Sequence, residues 1–320
     1  MSAILTLNAG SSSLKFALFD MAADGPIERA RGQVDRIGGA GRFTAQAPDG
    51  ATLIDQARDF PDHQAATTAI LDWLTDALSG RSVAAVGHRI VHGGPDFDAP
   101  IRLDDATLAK LKTLIPLAPL HQPFNLKGVA AAAKAFPDAV QIGCFDTAFH
   151  RGHPWVNDVF ALPREWYDRG VRRYGFHGLS YEYVCGRLRE IAPMHAAGRL
   201  VVAHLGNGAS MCAIRDGRSV GSTMGFTALD GLPMGTRSGQ IDPGVLLYMM
   251  QEHGLDADAI TSLLYKESGL KGLSGLSHDM RTLEAAGTPE AAEALDYFVF
   301  RIRRELGAMT AILGGIDAFA

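Results

Sequence analysis

Two glycine-rich stretches of the sequence have the composition of phosphate-binding turns. "NAGSSS" begins at Asn8 and is followed by Lys15, and "HLGNGAS" begins with His204, Leu205, Gly206, Asn207 and Gly208. Such turns expose consecutive backbone N–H groups and let a phosphate approach the chain closely. Two of them could hold a polyphosphate from both sides, whereas either one alone is also typical of an ordinary tight turn. Lys15 would either lie along the surface or reach a phosphate.

Four charged or titratable side chains lie in other glycine-containing loops. Arg89 and Arg237 are flanked by glycines, where a guanidinium can form a forked contact with an oxyanion, although a surface ion pair is the alternative. His177, in "GFHG", could donate to a negatively charged oxygen or pack in the core. Asp146 could hold an arginine, a metal-bound water or the substrate, or cap a helix. Together these loops supply donors for anions.

The loops that carry these candidate residues follow segments whose sequences predict buried strands. "SVAAVGHRI" and "DAVQIGCF" are apolar runs that end in polar loops, and "DHQAATTAILDWLTDALSG" has helical spacing of its apolar residues. "DDATLAKLKTLIPLAPLHQPFN" predicts a helix that begins at Asp104 or Asp105 and is broken by Pro116 and Pro119. Alternating helices and strands indicate an α/β architecture, in which ligands bind beyond the carboxyl ends of the strands.

An internal duplication is the simplest interpretation of the two glycine-rich stretches. Moving "AILTLNAGSSSLKFALFD" along the chain by 196 positions places it on "LVVAHLGNGASMCAIRDG" without a gap, with Asn8 on His204 and Gly10 on Gly206. Chance similarity of two apolar hairpins is the alternative. The duplication predicts two domains, residues 1–149 and 150–320. The second copy is shorter, and the final "GGIDAFA" begins like a buried strand, so we expect a carboxy-terminal segment to be missing.

Composition limits the class of protein. The chain has 320 residues, of which 47% are hydrophobic and 20% charged, and a net charge of −5. This composition is typical of a globular protein of two domains and argues against nucleic acid as a partner. No segment is long and apolar enough to predict a membrane-spanning helix, so we expect no membrane partner. Three scattered cysteines are typical of a protein in a reducing compartment, so we expect a cytoplasmic location. A nucleophile elbow, a Walker A sequence, a zinc pattern and a dinucleotide fingerprint are all absent.

Several long motifs together resemble the acetate kinase family. They are "LNAGSSSLKF", "RRYGFHGLS" and "GRSVGSTMGFTALDGLPMGTRSGQIDP", and the match extends from Leu5 to the last residue. The resemblance implies two duplicated actin-like (ribonuclease H-like) domains with a nucleotide cleft between them. It implies reversible phosphoryl transfer between ATP and acetate, giving acetyl phosphate and ADP, with Mg²⁺ as cofactor and a homodimer formed through the second domain.

The resemblance also assigns roles to residues. Asp146, His177 and Arg237 match the catalytic residues, and Arg89 matches the arginine that binds the substrate carboxylate. Asn8 matches a residue that helps to hold the magnesium. The nucleotide-binding positions are matched by Lys15, His204, Leu205, Gly206, Asn207, Gly208, Asp279, Met280 and Arg281. Whether Asp146 acts as a base or orients another group stays open.

The pocket for the alkyl group of the substrate is expected to contain Val91, Leu120 and Phe176, whose apolar character argues against a sugar kinase. Family members commonly read "FTPLEG" where this chain reads "FTALDG", so Ala228 replaces a proline in that pocket. Propionate or butyrate kinase, which shares most of these motifs, is an alternative that the residues of this pocket would distinguish. A further alternative is a shortened form that binds ligand without turnover, because the family's second adenine loop and its magnesium-binding glutamate would follow residue 320.

Overall fold

The structure is a computed structural model that describes residues 2–10, 13–78, 80–119 and 121–320. The chain divides into two compact units, residues 1–148 (unit 1) and 149–320 (unit 2). The sequence-based division at residue 149 remains a prediction about domains, because compactness alone does not test independent folding.

Unit 1 is built on a mixed sheet. Within the described residues its strands are β1 (Ala3–Ala9), β2 (Ser13–Ala22), β3 (Gly25–Asp35), β4 (Gly39–Gln46), β5 (Thr52–Phe60), β6 (Val83–Ile90), β7 (Ile101–Arg102) and β8 (Val140–Phe145). They lie in the order β5-β4-β3-β2-β1-β6-β8-β7. The first five form an antiparallel meander, and β6 and β8 run parallel to β1. The carboxyl ends of β1, β6 and β8 therefore meet at one edge.

The helices of unit 1 bury the apolar side chains that their sequences space at helical intervals. They are α1 (His63–Ala77), α2 (Asp105–Thr113) and α3 (Gln122–Ala135). Asp62 caps α1 and Asp104 caps α2 through their carboxylates, which satisfies backbone N–H groups of each first turn. A single 3₁₀ turn, Ile115–Leu117, separates α2 from α3, so the predicted break around Pro116 and Pro119 is confirmed. Trp73 of α1 packs against Phe16 and Phe43 in the core.

Unit 2 repeats the central pairing of unit 1. Its strands are β9 (Arg199–Leu205), β10 (Ala209–Arg215), β11 (Arg218–Ser222) and β12 (Ala318–Phe319), in the order β11-β10-β9-β12. β9, β10 and β11 form an antiparallel meander and β12 is parallel to β9, as β6 is to β1. The predicted duplication and the strand predicted in "GGIDAFA" are thus confirmed, although Phe319 is 49% exposed rather than buried.

The gapless alignment of the two hairpins is wrong for one strand of each pair. Ala9 pairs with Leu14, so four positions separate the strands, whereas Leu205 pairs with Ala209 across three. If β1 matches β9 at an offset of 196, β2 matches β10 at 195. The sequence could not show this, because both strands are apolar enough to tolerate a shift of one residue.

The helices of unit 2 are α4 (Trp155–Asp158), α5 (Arg164–Asp168), α6 (Gly178–Ile191), α7 (Pro193–Ala196), α8 (Pro243–His253), α9 (Ala257–Ser262), α10 (Gly269–Ser274), α11 (Met280–Ala286) and α12 (Pro289–Leu313). Of these helices, α6, α7 and α12 contact this smaller sheet. A 3₁₀ turn, Ala148–His150, and a π-helical segment, Leu263–Glu267, complete the helical structure. Tyr181 and Cys185 of α6 pack on Leu200 and Val202 of the sheet. Among the described helices, none combines the length and apolar composition that a membrane crossing requires.

Candidate active site

In unit 1, three of the residues singled out from the sequence meet at the carboxyl ends of β1, β6 and β8. Asn8 lies beside Arg89 in the parallel pairing of β1 with β6, and Arg89 lies beside Cys144 in the pairing of β6 with β8. Asp146 follows β8 directly, and its backbone N–H donates to the carbonyl of Ile90. The strand order thus brings together residues that are up to 138 positions apart.

Arg89 links the other two side chains. Its Nε and Nη2 donate to Asp146 Oδ1 and Oδ2 at 2.9 and 2.6 Å, which is the forked geometry of a strong ion pair. Its Nη1 donates to Asn8 Oδ1 at 2.9 Å. Of the alternatives left open for Asp146, the structure shows the one in which it holds an arginine.

The ion pair is shielded from water on the carboxylate side. The side chain of Asp146 is 3% exposed and that of Arg89 is 31% exposed. The nearby carboxylate raises the pKa of the Arg89 guanidinium, because attraction to Asp146 outweighs the effect of burial. Arg89 therefore remains a fixed positive charge with one side turned towards solvent.

A buried amide network that the sequence analysis missed supports the loop after β6. Asn125 accepts a hydrogen bond from the N–H of Val91 and donates to the carbonyl of Ala9, so it joins β1 to this loop. Gln122 accepts from the N–H of His92 and donates to its carbonyl. Both amides lie on the first turns of α3, in "HQPFN", where a Gln and an Asn at the start of a largely apolar helix were the available signal.

Two other predicted residues of unit 1, Val91 and Lys15, lie close to this cluster along the chain or across the sheet. Val91 is buried, two positions after Arg89. Lys15 is the cross-strand partner of Asn8 on β2, is exposed, and lines a groove on the meander together with Arg31, Gln33 and Thr44. Leu120 lies outside the described residues.

In unit 2, the second glycine-rich turn faces two stacked imidazoles. The ring of His177 lies over that of His204, with centroids 4.1 Å apart and an interplanar angle of 24°. His177 Nδ1 is 2.7 Å from Ser210 Oγ, and His204 Nδ1 is 3.0 Å from Ser180 Oγ. His177 has a φ of 60°, a left-handed conformation that few residues other than glycine adopt, and it immediately precedes α6.

Gly208 marks the point where two cationic or donor groups converge. A Cβ at this position would lie 3.1 Å from His177 Nε2 and 3.8 Å from Arg237 Nη1. At Gly206, a Cβ would lie 3.2 Å from His204 Nε2. The missing side chains therefore leave a small space that is bordered by nitrogens, which suits an anionic group.

The loop that carries Arg237 is held by close backbone contacts. Arg237 Nη1 donates to the carbonyl of Ala228 at 3.0 Å, and burial lowers the pKa of the guanidinium. Gly269 has a φ of 65°, and a Cβ there would collide with the carbonyl oxygen of Met234 and lie 2.7 Å from that of Arg237. Glycine at 269 is needed for this approach.

Phe176 precedes His177 and is anchored by histidines that the sequence analysis missed. Phe176 is 2% exposed, and its carbonyl accepts a hydrogen bond from His150 Nε2 at 2.9 Å. His150 Nδ1 lies 2.8 Å from Ser219 Oγ, and His153 Nε2 lies 2.7 Å from the same oxygen. The "FHRGH" spacing of these histidines is unremarkable in the sequence, because only the fold places Ser219 between them.

The remaining nucleotide-binding candidates lie at the start of α11 or in the turn itself. Asp279 caps α11, and its carboxylate binds the exposed guanidinium of Arg281 at 2.7 Å. Met280 is half-buried beside them. Leu205 is 54% exposed at the end of β9, and Asn207 lies between the two glycines of the turn.

The histidine network predicts an acid-sensitive fold. Burial, together with the positive charges of His150, Arg151 and Arg173, lowers the pKa of His153 from 6.5 to about 3. Below pH 6.5 the unfolded chain binds a proton that the native chain does not, so stability is complete above pH 6.5 and is lost as the pH falls. We expect this one group to reduce the unfolding free energy by roughly 2 kcal/mol between pH 6.5 and 4.5.

Urea denaturation, followed by the intrinsic fluorescence of Trp73, Trp155 and Trp166, measures this effect. His153→Gln keeps a donor for Ser219 and should flatten the pH dependence by about one proton. Measurements at pH 7.5 to 8.5, where His153 contributes no slope, serve as the internal control. An unchanged slope in the variant would contradict the assignment.

The chain is similar to known proteins over its whole length. Residues 3–320 match the family model described as the acetokinase family. An acetate kinase from Methylocella silvestris is 61% identical, over 98% of this chain and 80% of that protein. An acetate kinase from Nitrobacter hamburgensis is 52% identical, over 100% of this chain and 80% of that protein.

Solved structures also resemble the chain over its whole length. Porphyromonas gingivalis acetate kinase has 40% identity and a TM-score of 0.87, over 100% of this chain and 82% of that one. A propionate kinase from Francisella tularensis has 34% identity and a TM-score of 0.92, over 100% and 83%. These similarities confirm the α/β fold with duplicated actin-like domains, and they establish an enzyme that transfers phosphoryl groups. The chain belongs to the acetokinase family.

Proposed function

We propose that this chain catalyses the reversible transfer of the γ-phosphoryl group of ATP to acetate. A carboxylate oxygen of acetate forms a bond to the γ-phosphorus, the bond from that phosphorus to the bridging oxygen breaks, and ADP leaves with the electron pair. Such a reaction needs alignment of the two oxygens and positive charge around the phosphoryl group more than covalent help. The identity of 61% to an acetate kinase supports this assignment.

The observation that carries the proposal is the convergence at Gly208. His177 Nε2 and Arg237 Nη1 both border the space that a Cβ would occupy there. Groups held in this way can interact with charge that develops on a transferring phosphoryl group without rearranging first. We assign His177 and Arg237 to stabilisation of the transition state, and the turn from His204 to Gly208 to the phosphates of the nucleotide.

Arg89 is assigned to the substrate carboxylate and Asp146 to the orientation of Arg89. A carboxylate substrate is ionised at neutral pH, so its attack on phosphorus requires no base. Both oxygens of Asp146 already bind the guanidinium, which fixes its plane. The orienting role therefore fits the geometry better than proton abstraction.

Asn8 fits one part of a magnesium site. Its amide oxygen is a hard donor that Mg²⁺ accepts, and it retains a second lone pair beside its bond to Arg89. The described residues contain no group of three or more His, Cys, Asp or Glu side chains arranged for a metal. Mg²⁺ commonly takes most of its ligands from water and substrate phosphates. When bound, the ion would neutralise charge on the nucleotide phosphates, and Asn8 would help to hold it.

Residues Asp279, Met280 and Arg281 are assigned to the adenosine, and Lys15 to the phosphates. The mutual pairing of Asp279 with Arg281 holds the start of α11 in a defined conformation. The exposed amine of Lys15 lies on the strand next to Asn8. Because ATP and acyl phosphates are made and used in the cytoplasm, we place the enzyme there.

The proposal predicts acetate-dependent formation of ADP from Mg-ATP, measured with a coupled assay. Arg89→Lys should raise the KM for acetate at least about tenfold, because a single ammonium cannot reproduce the forked guanidinium contact. The KM for ATP should stay within about twofold of the wild-type value, because the substitution does not change the contacts assigned to the nucleotide.

Arg102→Lys, an exposed arginine on β7 of the same sheet, is the matched control and should behave like the wild type. Equal changes in both variants would contradict the role of Arg89. Tight binding of nucleotide with no ADP formation would favour the alternative in which the chain binds ligand without turnover.

Ala228 favours a second substrate, propionate. It stands where a proline ring would occupy space, and its carbonyl binds the guanidinium of Arg237. The room that the ring leaves could hold one extra methylene, which is worth about 0.8 kcal/mol when buried. The neighbouring structure from Francisella tularensis is named a propionate kinase.

We expect the preference of the wild type for acetate over propionate in kcat/KM to be less than about tenfold. Ala228→Pro, which keeps the carbonyl, should reduce kcat/KM for propionate about fourfold relative to acetate, the equivalent of one methylene. Acetate measured on the same variant is the control. A preference of tenfold or more for acetate over propionate in the wild type would contradict this proposal.

We infer that unit 2 forms the interface of a homodimer. None of the eleven residues of α8 is buried, although the helix reads "PGVLLYMMQEH". Leu247, Tyr248 and Met250 are 56%, 57% and 47% exposed. A helix with this apolar surface is typical of a contact with another chain.

Light scattering after gel filtration should give twice the mass of 34.1 kDa for the wild type. Leu247→Glu with Met250→Glu should shift the mass to that of the monomer, because charges would have to be buried in the interface. Glu252→Lys, on the same helix but already charged, is the control. A monomeric wild type would disprove the inference.

A further inference from the structure

Hydrogen bonds link three side chains of unit 2 in a row: Tyr181, Ser210 and His177. Tyr181, on the first turn of α6, is fully buried, and its hydroxyl makes a short hydrogen bond with Ser210 Oγ. Ser210 is also fully buried, on β10, and its Oγ is 2.7 Å from His177 Nδ1. The serine hydroxyl therefore lies between a phenol and an imidazole nitrogen.

The direction of these hydrogen bonds follows from the number of protons available. Burial raises the pKa of Tyr181 well above 10, so the phenol keeps its proton. That proton needs an acceptor, and within the described residues the phenol oxygen contacts Ser210 Oγ. If Ser210 accepts from Tyr181, its own proton is directed to His177 Nδ1. The reverse direction would leave the phenol O–H buried without an acceptor, which is unfavourable.

We propose that Tyr181 and Ser210 are positioning residues that hold His177 as the neutral tautomer with its proton on Nε2. Tyr181 donates to Ser210, Ser210 donates to Nδ1, and Nε2–H is directed towards the space beside Gly208. His177 thereby acts as a hydrogen-bond donor of fixed orientation.

This inference deepens the proposed function and rests on it for its catalytic meaning. An Nε2–H group donates to an oxygen of the phosphoryl group, whereas the other tautomer would turn a lone pair towards the same oxygen and repel it. The tautomer thus decides whether the ring stabilises or opposes the transferring group. A hydroxyl relay fixes the tautomer without adding a buried charge.

The tautomer itself is measured without any substrate. In long-range ¹H–¹⁵N spectra of the full chain labelled with ¹⁵N-histidine, protonated and unprotonated ring nitrogens have distinct shifts, and His177→Gln assigns the signals. We expect the wild type at pH 8 to show a protonated Nε2 and a bare Nδ1. In Tyr181→Phe the serine proton loses its fixed direction, so the signals should move towards a mixture of tautomers.

Steady-state kinetics with acetate and ATP test the consequence of the tautomer for catalysis. Tyr181→Phe should lower kcat for acetate about tenfold, less than the ~10² that loss of a complete donor costs, with both KM values within about twofold. Ser210→Ala should lower kcat at least as much. The double variant should equal Ser210→Ala rather than the product of the two effects, because both residues act through one hydrogen-bond chain.

Tyr174→Phe is the matched control. Tyr174 is 1% exposed in the same unit, and its hydroxyl donates to the carbonyl of Gly170 at 2.8 Å. Tyr174→Phe also removes one tyrosine hydrogen bond within unit 2, but Tyr174 makes no hydrogen bond to Ser210 among the described contacts. The kcat and the histidine spectrum of this variant should therefore match those of the wild type.

Three outcomes overturn the proposal. They are a wild-type His177 with its proton on Nδ1, a Tyr181→Phe spectrum identical to that of the wild type, and an equal loss of kcat in Tyr174→Phe. If Tyr181→Phe does not fold, the spectrum and kcat of Ser210→Ala decide. If the wild type fails to phosphorylate acetate, the proposed function is lost, whereas the tautomer spectrum still reports on Tyr181 and Ser210.

Discussion

The ion pair between Arg89 and Asp146 is the interaction on which the arrangement of unit 1 depends. A carboxylate that is almost fully buried is unfavourable unless a cation and hydrogen bonds compensate it. Here the compensation requires β6 and β8 to be neighbours and in register, with Asn8 of β1 on the other side of the guanidinium. The amides of Gln122 and Asn125 then fix the loop that follows β6. The order of the strands and the position of the buried Asp146 carboxylate therefore depend on each other.

The hairpin of unit 2 differs from that of unit 1 in the length of its turn. Its glycine-rich turn is shorter by one residue than the turn of unit 1. By the strand pairing, the counterpart of Asn8 is His204, as in the alignment without a gap, whereas the counterpart of Lys15 is Ser210 rather than Met211. The duplicated hairpins therefore share a backbone pattern but present different side chains at equivalent positions.

The strands, the main helices and the duplicated pairing could be predicted because they depend on local patterns. Alternating apolar residues indicate β1 and β2, and Asp62 and Asp104 mark where helices begin. The register of the second hairpin could not be predicted, since β10 is buried on both faces and gives no alternation. The convergence of Asn8, Arg89 and Asp146 at one edge of the sheet follows from the α/β pattern, because the loops after parallel strands meet at that edge. The partners of His177 could not be predicted, because Ser210 and Tyr181 are ordinary residues until the fold places them together.

The backbone at His177 has a consequence for how this chain balances stability against activity. A residue with a side chain in the left-handed conformation costs about 1–2 kcal/mol relative to glycine, and glycine is the residue that local energetics would select before α6. Natural variation under selection for stability alone would therefore drift towards glycine at this position. An imidazole at this position therefore lowers the stability of the fold relative to glycine, and it places a ring nitrogen beside Gly208.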